Sequence, residues 1–254
     1  MRPPGTPGGL VCHVLLIEAA RYLVLVDAGL GLRDADAPQR RFGSGRHFFR
    51  PAFDRGEAAI NQIRELGLRP EDVRHIVVTH FDVDHVGGAA DFPWAQVHLS
   101  ADEAAAVTAP RTVIERIRYG PEQRRLGSRL IRHHPAQGDP WHGFAAAEEL
   151  GGVASDLVMI SLPGHSRGHA AVAVNDGRRW IVHAGDAFYH RCQLDGSARA
   201  PSALRIFEQL VAADRQRVRD NHRMLQALWR AGDAQFLLVN AHDPRLLQEA
   251  QQMG

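Results

Sequence analysis

Two histidines and two aspartates, His80, Asp82, Asp84 and His85, fall within six residues of the stretch Thr79-His80-Phe81-Asp82-Val83-Asp84-His85-Val86-Gly87-Gly88, directly after the apolar run Ile76-Val77-Val78. The run reads as a buried strand, and ionisable groups at the mouth of a buried strand cost solvation unless something binds them. A metal ion meets that need, and nitrogen and oxygen donors with no thiolate suit zinc, iron or manganese. On extended backbone, residues two apart share a direction, so His80 and Asp82 converge on one point while the neighbours Asp84 and His85 diverge. That pattern favours two ions over one. The pair Gly87-Gly88 removes side chains where the backbone must pass close to the cluster or to another element.

Three later segments repeat the order of apolar strand, turn and ligand. Leu157-Val158-Met159-Ile160 leads to His165, Trp180-Ile181-Val182 to Asp186, and Phe236-Leu237-Leu238-Val239 to His242. In layered α/β proteins, sites gather at the carboxyl ends of strands, so the candidate ligands are His80, Asp82, Asp84, His85, His165, Asp186 and His242.

The stretches THFDVDHVGG, LPGHSRGH, HAGD and NAHD, in that order, resemble the metallo-β-lactamase superfamily from about Val11 to His242. The resemblance implies an α/β fold, the αββα sandwich of two mixed β-sheets packed face to face with helices on the outer faces, and a site for two divalent metal ions. By position, His80, Asp82 and His165 are similar to the ligands of the first ion, and Asp84, His85 and His242 to those of the second. Asp186 is similar to the bridging carboxylate. One position departs from the pattern: Asp82 stands where histidine is usual. Its charge and hardness move the preference from zinc towards manganese or iron. Asp27, in Asp27-Ala28-Gly29, corresponds to a residue beneath the cluster that orients ligands. His169 reads as structural.

Tyr189 stands three residues beyond Asp186. In the acyl-homoserine lactonases, the quorum-quenching group of the superfamily, a tyrosine follows the aspartate at this spacing and faces the substrate carbonyl. The resemblance thus implies a phenol that donates to a developing oxyanion, with aromatic packing as the alternative. It also implies a small-molecule hydrolase in which a hydroxide bridging the metals opens a lactone or related ester, while Asp84 passes a proton to the leaving alkoxide. Other readings are a thioester hydrolase of the glyoxalase II kind, a phosphodiester hydrolase of the same superfamily, or a metal-bearing binding or regulatory protein with little turnover.

The bulk properties bound these readings. At 254 residues and 44% hydrophobic, with no composition shift marking a linker, the chain reads as one domain over 1–254. A net charge of +1, all of its basic residues arginine, gives no electrostatic case for nucleic acid or an anionic membrane. Met1 to Gly9 holds no apolar signal core, no run approaches ~18 apolar residues, and two cysteines fit a reducing cytoplasm.

The positioning elements follow from pattern. Val11 to Glu18 and Arg21 to Val26 read as a hairpin, and Glu57 to Leu66 as a helix closed by Gly67. Ser100 and Glu103 form a capping box for a helix over Ala101 to Thr108. Ala170 to Val174 and Arg179 to Val182 make a hairpin about Asn175-Asp176-Gly177, and two amphipathic helices lie between Ser202 and Trp229, interrupted near Asp214. Residues 30–55 carry Phe42, His47, Phe48, Phe49 and Phe53; they overhang the site as an apolar pocket wall, pack against a second subunit of a homodimer, or pack into the core. The arginine-rich residues 110–150 read as a substrate-facing insertion or as a surface helix and loop.

Overall fold

The computed structural model describes residues 9–42 and 51–253. They group in two compact units: Val14–Leu99 with Ala104–Arg132, and the residues up to His13 with Ser100–Glu103 and those from His133 onward. The divisions fall within a helix and at strand ends, where no change of composition marks them.

The first unit holds a five-stranded mixed sheet in the order β1-β2-β3-β4-β5. β1 (Leu15–Glu18) and β2 (Leu23–Val26) form an antiparallel hairpin, and β3 (Val73–Val77) and β4 (Gln96–Ser100) extend it in parallel. β5 (Leu130–His133) is the far edge. Every residue of β2 is buried, the continuous apolar run expected of a strand covered on both faces. The unit's helices are α1 (Leu32–Asp36), α2 (Pro38–Phe42), α3 (Ala59–Glu65), α4 (Val83–Val86), α5 (Ala101–Thr108), α6 (Val113–Arg118) and α7 (Pro121–Arg124), the first turn of α5 belonging to the second unit. α3 buries Ala59, Ile60 and Ile63 in the same core as Leu25 and Ile76, each isoleucine stabilising the fold by about 2 kcal/mol. Gly67 closes that helix at φ +75°.

The second unit holds a six-stranded sheet in the order β11-β10-β9-β8-β7-β6. β6 (Asp139–Trp141), β7 (Phe144–Glu149), β8 (Leu157–Ser161), β9 (Ala170–Asn175) and β10 (Trp180–His183) run antiparallel in succession, and β11 (Phe236–Val239) adds in parallel to β10. The hairpin turn is fixed by Asp176, which accepts from Arg178 N and Arg179 N at 2.8 Å; these bonds hold its carboxyl below the ordinary range. A parallel partner needs a crossover, supplied by α8 (Cys192–Asp195), α9 (Ser202–Val211) and α10 (Arg215–Ala231). Asp214 breaks the helical run and caps α10, accepting from Gln216 N and Arg217 N. α11 (Pro244–Met253) ends the described chain, and its Leu246 joins Leu225, Leu238, Val182 and Ile160 in the core.

Three sequence expectations change or extend. Residues 110–150 include the largely exposed helices α6 and α7, in keeping with the surface-helix reading, and in addition supply β5, β6 and β7 to the two sheets. An alanine-rich strand and a proline-bearing edge strand have little intrinsic β signal, and pairing decides them. β1 begins at Leu15 rather than Val11; Val11 N and His13 N donate instead to His242 O and Ala241 O. The capping box is half made: Glu103 N donates to Ser100 Oγ at 3.1 Å, but the Glu103 carboxylate turns elsewhere. Phe42 and Phe53 pack on each other edge to face, 5.3 Å between centroids, whereas His47, Phe48 and Phe49 lie outside the described residues. Among the described residues no helix is long and apolar enough to cross a membrane.

Candidate metal centre

In the first unit the chain leaves β3 as Val78 N donates to His98 O, and then presents its candidate ligands within one turn. His80 Nε2 lies 3.4 Å from Asp82 Oδ2. Two donors each about 2.1 Å from a tetrahedral ion sit about 3.4 Å apart, so this spacing fits two ligands sharing one ion. Asp84 and His85 do not diverge as extended backbone would require. The chain turns helical at Val83, which brings Asp84 Oδ2 within 4.0 Å of His85 Nε2 and the His85 ring to 3.9 Å from that of His80.

Asp27 organises both imidazoles. Its carboxylate accepts from Thr79 N at 2.7 Å, from Thr79 Oγ1 at 2.9 Å and from His85 Nδ1 at 2.8 Å. A carboxylate only accepts, so His85 carries its proton on Nδ1 and keeps its lone pair on Nε2. Thr79 Oγ1, having donated to Asp27, accepts from His80 Nδ1 at 3.1 Å, which gives His80 the same tautomer. Asp27 holds this position at φ +58°, a conformation aspartate tolerates better than most residues. A Cβ on Gly88 would lie 2.2 Å from Ala28 O, so the glycine permits the close approach that its place in the sequence suggested. The approach is locked by Ala28 N donating to His85 O and Gly88 N to Gly29 O.

In the second unit the candidate ligands come from three strand ends. Asp186 stands between two imidazoles, with Oδ1 3.0 Å from His242 Nε2 and Oδ2 3.7 Å from His165 Nε2. His242 Nδ1 donates to Val11 O at 2.7 Å, and His165 Nδ1 lies 3.3 Å from the phenol oxygen of Tyr189. Tyr189 is buried, stacks on His242 with an interplanar angle of 2°, and meets Phe207 edge to face. His169 spends both nitrogens on backbone: Nδ1 donates to Leu162 O and Nε2 accepts from Asp186 N. It therefore positions Asp186, in keeping with its structural reading.

The structure thus brings His80, Asp82, Asp84 and His85 together in one unit, and His165, Asp186, Tyr189 and His242 together in the other. Imidazole nitrogens and carboxylate oxygens at these spacings are a donor set suited to divalent metals. His133 pairs with Glu148, His183 Nε2 donates to His13 O and His190 Nδ1 accepts from Cys192 N, so each has employment apart from these sets.

Sequence reasoning missed the supports. Glu103, fully buried, accepts from Ser166 Oγ at 2.7 Å and from Gly168 N at 3.1 Å, and so fixes the loop that carries His165. A Cβ on Gly168 would meet Glu103 N at 1.9 Å. In the first unit Arg118 Nε lies 3.0 Å from Asp82 Oδ1, and Gln123 Nε2 donates to both Phe81 O and Arg118 O. The one sequence signal for Glu103, its spacing from Ser100, was compatible with an ordinary cap; Arg118 was one arginine among many.

Fold and donor chemistry define a metallo-hydrolase. Residues 7–228 match the model of the metallo-beta-lactamase superfamily, and the chain belongs to that superfamily. The matched span includes every candidate ligand except His242. A probable metallo-hydrolase of Mycobacterium tuberculosis is 49% identical over 241 residues, covering 95% of this chain and 77% of that protein. The N-acyl homoserine lactonase AttM of Agrobacterium fabrum is 25% identical over 163 residues, or 63% of this chain and 57% of that one. Among solved structures, an N-acyl homoserine lactone hydrolase with the product N-hexanoyl-L-homoserine at its catalytic metal centre matches in fold, with a TM-score of 0.63 and 18% identity over 97% of this chain and 87% of that one.

Proposed function

We propose that this chain hydrolyses a lactone of the acyl-homoserine type or a closely related carboxylic ester, using divalent metal ions, zinc first among them. The proposed ligands are His80, Asp82, Asp84, His85, His165, Asp186 and His242. The observation that carries the proposal is the common state of the four histidines: each has Nδ1 engaged within its own unit and offers Nε2. The lactonase relatives support the choice of substrate class.

Bound divalent ions acidify water to a nucleophile at neutral pH and polarise a carbonyl oxygen. The chain's own side chains supply the rest. Asp84 is one-third exposed, so its carboxylate can take up a proton and hand it to the leaving alkoxide. The Tyr189 oxygen lies 3.3 Å from His165 Nδ1; with that nitrogen as donor the phenol steers the ring and keeps its own O–H for a developing oxyanion. Opening the ring gives a hydroxy acid.

The test is elemental analysis of protein purified without chelator, followed by assays on a lactone, a thioester and a phosphodiester with the same metal supplied. The expected result is about two metals per chain and turnover highest on the lactone. Asp84→Asn should then abolish turnover with metal retained, and Tyr189→Phe should lower kcat by roughly tenfold to a hundredfold with little change in KM. Preferred turnover of the thioester or phosphodiester, or none of any ester, would replace this reading.

A further inference from the structure

We propose that Arg118 is the charge partner that makes an aspartate at position 82 workable, so that Asp82 and Arg118 together present to the first metal what a neutral histidine would. This rests on the reading of Asp82 as a metal ligand. The two carboxylate oxygens of Asp82 have different neighbours: Oδ2 lies 3.4 Å from His80 Nε2, and Oδ1 lies 3.0 Å from Arg118 Nε. With one oxygen beside the guanidinium as its ion pair, the other faces the position His80 addresses. The carboxylate then acts through a single oxygen, as an imidazole acts through a single nitrogen. Arg118 also offsets the unit of negative charge that aspartate adds in place of a neutral histidine.

The placement of Arg118 is built rather than incidental. Its side chain is 9% exposed, although most of the arginines around it are open to solvent. It ends α6, whose start is fixed by a capping box in which Thr112 and Glu115 satisfy each other's backbone N–H. Its carbonyl accepts from Gln123 Nε2, and the same amide nitrogen donates to Phe81 O, the residue between His80 and Asp82. Gln123 Oε1 accepts from Gly120 N at 2.7 Å, which fixes the amide's orientation. One buried glutamine therefore ties the backbone of the arginine to the backbone of the ligand it partners.

The consequence is a change of sign. With aspartate at 82, Arg118 balances a charge; with histidine at 82, the same guanidinium becomes an added cation beside the metal and opposes its binding. Zinc affinity, measured by competition with a chromogenic chelator, separates the cases in the wild type, Asp82→Ala, Asp82→His, Arg118→Lys and the double variant Asp82→His with Arg118→Gln. We expect Asp82→Ala and Asp82→His each to weaken zinc by about tenfold or more, the double variant to recover to within about threefold of wild type, and Arg118→Lys to stay within about threefold. A double variant no tighter than Asp82→His, or an Asp82→His variant as tight as wild type while Asp82→Ala is weak, overturns the charge pairing alone. Unchanged affinity in Asp82→Ala overturns the ligand role of Asp82 and the pairing with it. Thermal melts establish folding, and Arg118→Met, which keeps the apolar stem, replaces Arg118→Gln should the latter not fold.

Discussion

The two sets of proposed ligands are built in different ways. His80, Asp82, Asp84 and His85 come from one short stretch and are steered by side chains: the Asp27 carboxylate, the Thr79 hydroxyl and the Arg118 guanidinium. His165, Asp186 and His242 come from three separate strand ends, and their supports reach the main chain: Val11 O takes His242 Nδ1, the His169 ring takes Asp186 N, and the Glu103 carboxylate takes Gly168 N beside His165, whose own ring lies against Tyr189. A contiguous set has its spacing given by the chain and needs only its rings turned. A dispersed set needs the strand ends themselves held in place, which side chains do by bonding to main-chain groups near each candidate.

The comparison breaks first at Asp27. Asp27→Ala leaves three buried donors, Thr79 N, Thr79 Oγ1 and His85 Nδ1, without their acceptor, at φ +58° where alanine is also strained. Urea unfolding should show a loss of about 3 kcal/mol or more, together with reduced metal content. A loss under about 0.5 kcal/mol would mean that the hub is replaceable by water.

Glu103→Ala is the matching cut in the other unit. It removes the acceptor for Ser166 Oγ and Gly168 N and should cost about 2 kcal/mol, with Glu103→Gln recovering part of it. His169→Phe fills the same space without either hydrogen bond and should cost about 1 kcal/mol while loosening Asp186, read as metal retention that falls by more than the stability loss accounts for. Equal damage to metal retention and stability would make His169 a packing residue only.

The smallest expected effect lies outside both sets. His75 shares a hydrogen bond with His98 between adjacent strands, and burial lowers its pKa below the ordinary histidine value. The folded state therefore binds fewer protons than the unfolded chain below pH of about 6.5, so stability is full above that pH and declines as pH falls through it. The fall in Tm between about pH 7 and pH 5 should be shallower in His75→Gln; an equal slope would assign the acid sensitivity to other groups.

The metal stretch was legible because its donors are contiguous, follow an apolar strand and precede a glycine pair. The placement of the later candidates at strand ends was legible because each repeats the sequence of strand, turn and donor. What was not legible are the partners chosen by tertiary packing. Nothing in the sequence distinguishes Arg118 from Arg116 or Arg124, because burial beside Asp82 is decided by where α6 ends. Glu103 carries a local explanation as a cap that its fold overrides. The strands β6 and β7 were hidden because proline and alanine are weak strand formers, and only pairing with β8 and its neighbours makes them strands.

The uniform engagement of Nδ1 has a practical consequence for metal exchange. Rings steered by hydrogen bonds keep their aim when an ion departs, so chelation should empty the protein without unfolding it. Removal then costs only the mass-action term, which grows with the logarithm of free metal over its dissociation constant. The same protein should accept zinc, manganese or iron in turn by simple dialysis, with no refolding step between them.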